Sequence, residues 1–184
     1  MRLEPQRLAG LYLLVPEPIV DERGFFARVF DASLAAGVGL VTTFPEWSIS
    51  YNRQRGTLRG MHWQGAPHGE AKIVRCLRGA VFDAVVDLRR SSPSFGCWLG
   101  FTLDAANRHA LYVPVGFAHG FQSLVDDTEL HYHISTPYIA AASRGLRWND
   151  PRVAIAWPLA ETSLLSQRDS VLPLLEELKP DEIF

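Results

Sequence analysis

The sequence predicts an all-β fold, a jelly-roll barrel with a few short helices. Apolar, β-branched and aromatic residues recur in short segments, many of them alternating with polar residues. The 14 glycines and 12 prolines are spread along the chain and separate these segments. Runs with helical periodicity are scarce. Short strands at this spacing are typical of sandwiches and barrels.

Ten segments are the candidate strands, because each is rich in the residue types that favour a pleated, half-buried surface. In chain order they are LYLLVPE, RGFFARVF, EWSISYN, TLRGMHWQ, AKIVRCLRG, AVFDAVVDLR, WLGFTLD, HALYVPV, HGFQSLV and ELHYHIS. Turn signals such as DERG, LRGA and RSSPSFG lie between them.

Two segments are candidate helices. DASLAAGVG begins at Asp31, a residue type that favours the N-cap, and SVLPLLEELK carries Pro173 in its first turn. A chain of 184 residues predicts one domain. We expect a single domain over 1–184, with a core barrel at roughly 10–138 and an irregular, partly helical segment at 139–184.

Composition excludes several classes of protein. The net charge is −2, and no basic excess or acidic tail favours a nucleic-acid or solvating role. No apolar run approaches the about 20 residues that span a bilayer, and MRLEPQRLAG lacks the apolar core of a secretory signal. Cys76 and Cys97 form neither metal-type spacing nor a disulfide framework. We expect a reduced cytoplasmic protein with no nucleic-acid or membrane partner.

The segment RGMHWQ places a titratable imidazole, His62, among large apolar groups. Such a histidine is either a hydrogen-bonded core residue or a group that transfers protons or binds metal. In a regular strand Arg59 and His62 would face opposite ways. Gly60 lies between them and permits a bulge, so periodicity alone leaves open whether both line one pocket.

Strand alternation predicts which polar side chains point inward. In ELHYHIS, Tyr132 shares a face with Leu130 and Ile134, so its hydroxyl is expected inside the barrel. In AKIVRCLRG, Lys72 shares a face with apolar residues, where a lysine needs a partner. Asp83 lies among valines in the next strand, either as a satisfied buried carboxylate or as a site residue.

Two stretches resemble the signatures of the cupin barrel superfamily. The first carries His62, His68 and Glu70, and the second, PVGFAH, carries His119. Metal-binding cupins generally use a His-x-His pair, a Glu and a later His. Here the pair is broken, since Trp63 and Gln64 follow the first histidine. A 2-His-1-carboxylate site remains an alternative, but no metal is expected.

A longer series of blocks carries a closer resemblance. RGFF, TLRGMHWQ, PHGEAKIVRCLRGAVFDAVVDLRRSSPSFG, LYVPVGFAHGF, RGLRWNDP and LSQRD occur in this order. Together they resemble the dTDP-4-dehydrorhamnose 3,5-epimerase family of cupin-fold sugar-nucleotide epimerases. The resemblance implies a cupin-type jelly-roll barrel, a homodimer, and a nucleoside-diphosphate 4-keto-6-deoxyhexose as substrate in deoxysugar biosynthesis. It implies proton abstraction to an enolate and reprotonation on the opposite face, with no cofactor.

The resemblance also implies four catalytic roles. His62 matches the family's base, and Asp169 matches the carboxylate that pairs with it. Lys72 matches the lysine beside the developing C4 oxyanion, where a fixed ammonium stabilises the charge. Tyr132 matches the acid on the other face of the sugar.

Further positions match substrate-binding residues of the family. Arg23 and Arg59 match residues at the diphosphate, for which a guanidinium fork is suited. His119 is expected to line the same barrel and Tyr138 to lie near the sugar. Arg168 stands where many relatives have lysine.

The chain departs from the family where the nucleotide base is contacted. Arg28 replaces a usual Glu, and Trp47 and Ile49 stand where Gln and Asn are usual. The nucleotide is therefore either dTDP stacked on Trp47, or CDP, UDP or GDP. Inversion at C3, at C5 or at both stays open. A catalytically silent sugar-nucleotide-binding cupin and a metal-dependent cupin enzyme are the alternative classes.

Overall fold

The computed structural model describes every residue from Met1 to Phe184 and is built mainly of short strands. They are β1 (Arg2–Pro5), β2 (Tyr12–Val15), β3 (Ile19–Asp21), β4 (Gly24–Phe26), β5 (Glu46–Asn52), β6 (Leu58–Gln64), β7 (Lys72–Arg78), β8 (Ala80–Asp87), β9 (Trp98–Asp104), β10 (Ala110–Val113), β11 (Phe117–Ser123), β12 (Thr128–Ile134) and β13 (Ser143–Gly145). The helices are α1 (Ala32–Gly37) and α2 (Gln167–Ser170), with 3₁₀ turns at Ala140–Ala142, Ala160–Thr162 and Leu175–Glu177.

Two antiparallel sheets form the barrel. One has six strands in the order β1-β2-β10-β7-β12-β5, and the other has five in the order β13-β6-β11-β8-β9. Strands β3 and β4 form a separate two-stranded hairpin. The predicted all-β, cupin-type jelly-roll barrel is confirmed.

The apolar residues form three layers around the two sheets. The inner cluster takes residues from both sheets, among them Val74, Val85, Phe117 and Leu130. A second cluster joins the outer face of the five-stranded sheet to the C-terminal segment, and it includes Trp157. A third joins the outer face of the six-stranded sheet to the N-terminal segments. The C-terminal segment thus forms a layer packed against the barrel.

The prediction for the first helix is confirmed. The Asp31 carboxylate accepts hydrogen bonds from the backbone N–H groups of Ser33 and Leu34, at 3.0 and 3.1 Å, which caps α1. The preceding segment RGFFARVF is a strand only over Gly24–Phe26. Beyond it, Arg28 turns to form an ion pair with the capping carboxylate at 2.6 Å.

The second helix was predicted at the wrong place. Helix α2 ends at Ser170, where the predicted helix was to begin, and only the 3₁₀ turn Leu175–Glu177 falls within SVLPLLEELK. Tertiary hydrogen bonds explain the difference. Arg147 donates to the carbonyls of Leu172 and Pro173, and the Leu175 N–H donates to the Asp150 carboxylate at 2.6 Å. These bonds hold the segment against the barrel in an irregular path.

A bulge at Gly60 orients the residues on either side of it. In the pairing of β6 with β11, His62 lies opposite His119 and Arg59 lies opposite Phe121, so β6 carries one extra residue. Gly60 has a φ of 125°, and a Cβ there would lie 2.6 Å from the Gly120 Cα. Only glycine suits this position. Because of the extra residue, Arg59 and His62 face the same side of the sheet.

The structure contains no helix that combines the length and the apolar character needed to cross a lipid bilayer.

Candidate active site

A cavity of about 530 Å³ opens into the barrel beside the inner apolar cluster. It brings together these predicted site residues: Arg59, His62, Lys72, His119, Tyr132, Arg168 and Asp169. They come from four strands and from α2, so the cavity joins both sheets and the C-terminal layer. Ser48, Ser50 and Ser166 add hydroxyl groups to its wall.

His62 and Asp169 form a hydrogen-bonded pair in this cavity. The His62 Nε2–H donates to the Asp169 Oδ1 at 2.7 Å, and the imidazole is 36% exposed while the carboxylate is 5% exposed. Because Nε2 is engaged by the carboxylate, Nδ1 is the ring nitrogen left to accept a proton. The pair has the geometry of a base held in one tautomer by its carboxylate.

Two further hydrogen bonds hold Asp169 in place. The Gly60 N–H donates to the Asp169 Oδ2 at 3.4 Å, and the backbone N–H of Asp169 donates to the Ser166 hydroxyl at 3.0 Å. Burial alone would raise the pKa of Asp169. The hydrogen bonds from His62, Gly60 and Ser166 outweigh burial, so this pKa lies below its ordinary value. Asp169 is therefore ionised when it faces the imidazole.

Lys72 enters the cavity from the start of β7 and is almost buried. Its ammonium lies 2.8 Å from the Glu70 carboxylate, with the two side chains 12% and 9% exposed. The predicted partner of this inward lysine is thus a nearby carboxylate. An ammonium has three donors, so the ion pair leaves capacity to bind a ligand oxygen.

Tyr132 points into the barrel from β12, as its alternation predicts, and packs against the inner apolar cluster. Burial, with a smaller contribution from the Asp83 carboxylate, raises the pKa of Tyr132 well above its ordinary value. The phenol therefore stays protonated and can act as a donor.

His119 and Asp83 form a second pair behind Tyr132. The His119 Nε2–H donates to the Asp83 Oδ2 at 2.8 Å, and both side chains are buried. The His119 ring lies edge-on to Tyr132, with 6.0 Å between the ring centroids. Asp83 is therefore bonded through one oxygen, while its buried Oδ1 has no hydrogen-bond partner. Of the two alternatives that the sequence left open, Asp83 is a buried carboxylate that does not line the cavity itself but bonds His119, which does.

Arg59 presents a positioned guanidinium at the cavity mouth. Its Nε–H donates to the Asn52 Oδ1 at 2.8 Å and its Nη2 donates to the Tyr51 carbonyl at 3.3 Å. Asn52 is buried, so this contact is anchored in the sheet. Arg168 also lines the cavity and donates to the Ser143 hydroxyl at 2.7 Å. Two guanidinium groups are thus available in one cavity, which suits an anionic ligand.

The structure does not bring the other four predicted residues into the cavity of the same chain. Arg23 sits on the hairpin, 84% exposed and paired with Asp21. Arg28 is engaged at the cap of α1. The Trp47 indole packs on His133, on the face of the sheet away from Tyr132, with 4.4 Å between ring centroids. Tyr138 is 62% exposed outside the cavity.

No three His, Cys, Asp or Glu side chains come together in an arrangement that could hold a metal ion. Two members of the alternative 2-His-1-carboxylate set, one histidine and the glutamate, form hydrogen-bonded pairs with other residues. His62 pairs with Asp169 and Glu70 pairs with Lys72.

Sequence reasoning missed the residues that support the site. Ser166 caps α2 and precedes Asp169 by three residues, a capping spacing visible in SQRD. Asn52 and Gln64 carry no comparable signal as supports, because their partners depend on the pairing of strands. Their polar character inside strand-forming segments is the available clue. Glu70 lies between β6 and β7, and the sequence indicates it only as a possible metal ligand.

The arrangement supports proton transfer on two sides of one ligand. A base with a free ring nitrogen and a protonated phenol lie in one cavity, on strands of opposite sheets. An ammonium in the same cavity can stabilise a developing oxyanion. Guanidinium groups at the mouth suit a phosphorylated substrate.

The sequence matches a family model described as dTDP-4-dehydrorhamnose 3,5-epimerase over residues 5–177. A protein of that name from Sinorhizobium fredii is 42% identical over 97% of this chain and 91% of its own length. A dTDP-4-dehydrorhamnose 3-epimerase from Streptomyces niveus is 41% identical over 97% of this chain and 86% of its own.

The fold is similar to that of a solved epimerase. The crystal structure of dTDP-6-deoxy-D-glucose-3,5-epimerase from Legionella pneumophila, in complex with dTDP-4-keto-L-rhamnose, superimposes with a TM-score of 0.92 at 33% identity. The match covers 99% of this chain and 96% of that one.

Proposed function

This chain belongs to the dTDP-4-dehydrorhamnose 3,5-epimerase family, and we propose that it epimerises a nucleoside-diphosphate 4-keto-6-deoxyhexose at C3, C5 or both. The observation that carries the proposal is one cavity that holds His62 bonded to Asp169, the protonated Tyr132 and the ammonium of Lys72. The reaction serves deoxysugar biosynthesis.

Proton abstraction is assigned to His62. The C4 ketone acidifies the hydrogens on C3 and C5, and Nδ1 of the imidazole removes one of them. The electron pair of the broken C–H bond moves into the carbonyl and forms an enolate, whose oxygen is stabilised by the Lys72 ammonium. Asp169, ionised and fixed by its hydrogen bonds, stabilises the imidazolium that results.

Reprotonation on the opposite face is assigned to Tyr132. Its phenol, kept protonated by burial, gives its proton to the enolate carbon and the carbonyl re-forms. The configuration at that carbon is then inverted. The phenolate regains a proton from water and the imidazolium loses one, so the proton balance closes without any other reactant.

The dTDP-linked sugar is the first substrate to test, since dTDP-4-keto-L-rhamnose is bound in the Legionella relative. Trp47 lies on the outer face of the sheet and its indole N–H is bonded to the Phe44 carbonyl at 3.0 Å. It therefore does not line the cavity of its own chain, and its indole N–H is not free to bond a base. We propose that the sugar, the diphosphate and the shape of the base determine binding.

Deuterated water provides the direct test of the function. The protein is incubated with 4-keto-6-deoxyglucose linked to dTDP, CDP, UDP or GDP, and label at C3 and C5 is followed by NMR. We expect label and an inverted centre with at least one nucleotide. Binding without exchange would instead identify a silent sugar-nucleotide-binding cupin, and activity only after metal addition would identify a metal-dependent one.

Replacing Arg59 with alanine should weaken nucleotide binding. Hydrogen bonds to a charged group contribute about 1.5–3 kcal/mol, so affinity for dTDP is expected to fall about 10- to 100-fold. Calorimetry measures this, with Arg78→Ala as the control, because Arg78 is exposed and its ion pair with Asp127 lies outside the cavity. An unchanged affinity in Arg59→Ala would reject the diphosphate assignment.

We further propose a cytoplasmic homodimer of a single-domain protein, in which the hairpin of one copy reaches the cavity of the other. The hairpin exposes Ile19, Val20 and Phe26 at 73–75%, a pattern that marks an interaction surface. Strand β5, beside the cavity, is a sheet edge available for a partner. Such an arrangement supplies Arg23 to the partner's site.

Complementation tests this dimer. Light scattering should give twice the chain mass. Mixed Arg23→Ala and His62→Ala subunits should regain activity, because each heterodimer then holds one complete site. If Arg23 acts within its own chain, both sites of the heterodimer are defective and the mixture stays inactive.

A further inference from the structure

Lys72 is held by a chain of side chains that begins at the backbone of residue 139. The Ile139 N–H donates to the Gln64 Oε1 at 2.6 Å. The Gln64 Nε2 donates to the Glu70 Oε2 at 3.0 Å and to the Pro137 carbonyl at 3.2 Å. The other Glu70 oxygen, Oε1, lies 2.8 Å from the Lys72 ammonium. Every member after Ile139 is buried or nearly so.

The hydrogen bonds in this series can run in only one donor-to-acceptor direction. Because a backbone N–H occupies the Gln64 oxygen, its amide nitrogen must face residue 70, which therefore has to accept. On its other side residue 70 meets the ammonium, which again demands an acceptor. A carboxylate accepts on both sides, whereas a carboxamide would turn an NH₂ group toward one of the two donors.

The stem of a lysine is flexible, and fixing it requires a partner. Its four-carbon chain carries about 2 kcal/mol of rotamer entropy. Glu70 is the one carboxylate that the structure places in contact with Lys72. The pair is neutral as a unit, so Glu70 weakens the long-range field of the ammonium. Its contribution to the reaction must then come from placement and not from added charge.

We propose that Glu70 is a positioning residue, which uses the orientation fixed by Gln64 to hold the Lys72 ammonium where the C4 oxyanion forms. The inference rests on the proposed epimerase function. Glu70 touches no reacting atom and acts through Lys72.

Glu70→Gln is the decisive variant. A misplacement of about 1 Å can reduce catalysis about 10²-fold, so kcat for deuterium exchange should fall by up to this factor, with affinity for dTDP unchanged. Glu129→Gln is the control, since it makes the same change on β12, and no contact joins Glu129 to Lys72. If Glu70→Gln turns over at the wild-type rate, the proposal is overturned. It is also overturned if turnover is faster because the ammonium, without its carboxylate partner, has a stronger electrostatic field.

A double-mutant cycle separates positioning from stability. If Glu70 acts through Lys72, adding Glu70→Gln to Lys72→Met should not lower turnover further, whereas a structural role makes the two losses add. Should Glu70→Gln fail to fold, Glu70→Asp keeps the charge and shifts it, and must also lose kcat without losing dTDP affinity. If the variants lose activity only when thermal melting shows that they are unfolded, the proposal is overturned. An inactive wild-type protein would reject the epimerase function itself.

Discussion

His62→Ala is expected to lower epimerase turnover by about two to four orders of magnitude, the range for losing general acid–base help. The variant lacks the imidazole whose Nε2 is held by the ionised Asp169 carboxylate and whose Nδ1 is left to accept a proton. Both deuterium exchange and inversion should be lost, because no enolate forms. Quenched time courses read by NMR give both rates, and dTDP affinity should be nearly unchanged.

His109→Ala is the matched control for this loss. His109 precedes β10 and lies outside the cavity, so its removal should leave turnover unchanged. Thermal melting of both variants separates chemistry from folding, since the Asp169 Oδ1 loses its partner in His62→Ala. A His62→Ala protein that turns over at nearly the wild-type rate would show that another group is the base.

Tyr132→Phe is expected to lower net inversion by about two to four orders of magnitude while largely sparing proton abstraction. The substitution keeps the ring that packs on the apolar cluster and removes only the hydroxyl that donates to the enolate. His62 can still remove a proton and return one from solvent on the same face. Label should therefore enter the substrate faster than the epimer appears, which NMR resolves in one experiment.

Tyr112→Phe makes the same chemical change on the other side of the six-stranded sheet. The Tyr112 hydroxyl accepts a hydrogen bond from the Val41 N–H at 3.0 Å, and the ring belongs to the outer cluster. Losing this hydrogen bond should lower the free energy of unfolding by about 1 kcal/mol and leave the rates of deuterium exchange and inversion unchanged. Equal loss of exchange and inversion in Tyr132→Phe would contradict the division of roles between the two faces.

The barrel was predictable because its strands repeat a local pattern. EWSISYN and WLGFTLD become β5 and β9 with the predicted bounds, since alternation and flanking turns mark both ends. The inward directions of Lys72 and Tyr132 follow from the same alternation. Strand β13 has only three residues, and its place depends on pairing with β6.

The support of the site was not predictable because it depends on contacts between distant segments. His119 and Asp83 are 36 residues apart, and His62 and Asp169 are 107 apart. Nothing in either local pattern states which carboxylate meets which imidazole. Family resemblance identified the second pair, but only the register of β11 with β8 brings the first pair together.

The catalytic residues come from two different layers of the fold. His62, Lys72 and Tyr132 are embedded in strands paired on both sides, so replacing their surroundings perturbs the barrel itself. Asp169 arrives on a helix of four residues in the C-terminal layer. Substitutions at 163–170 can therefore move the carboxylate that holds the imidazole while the strands of the barrel stay intact.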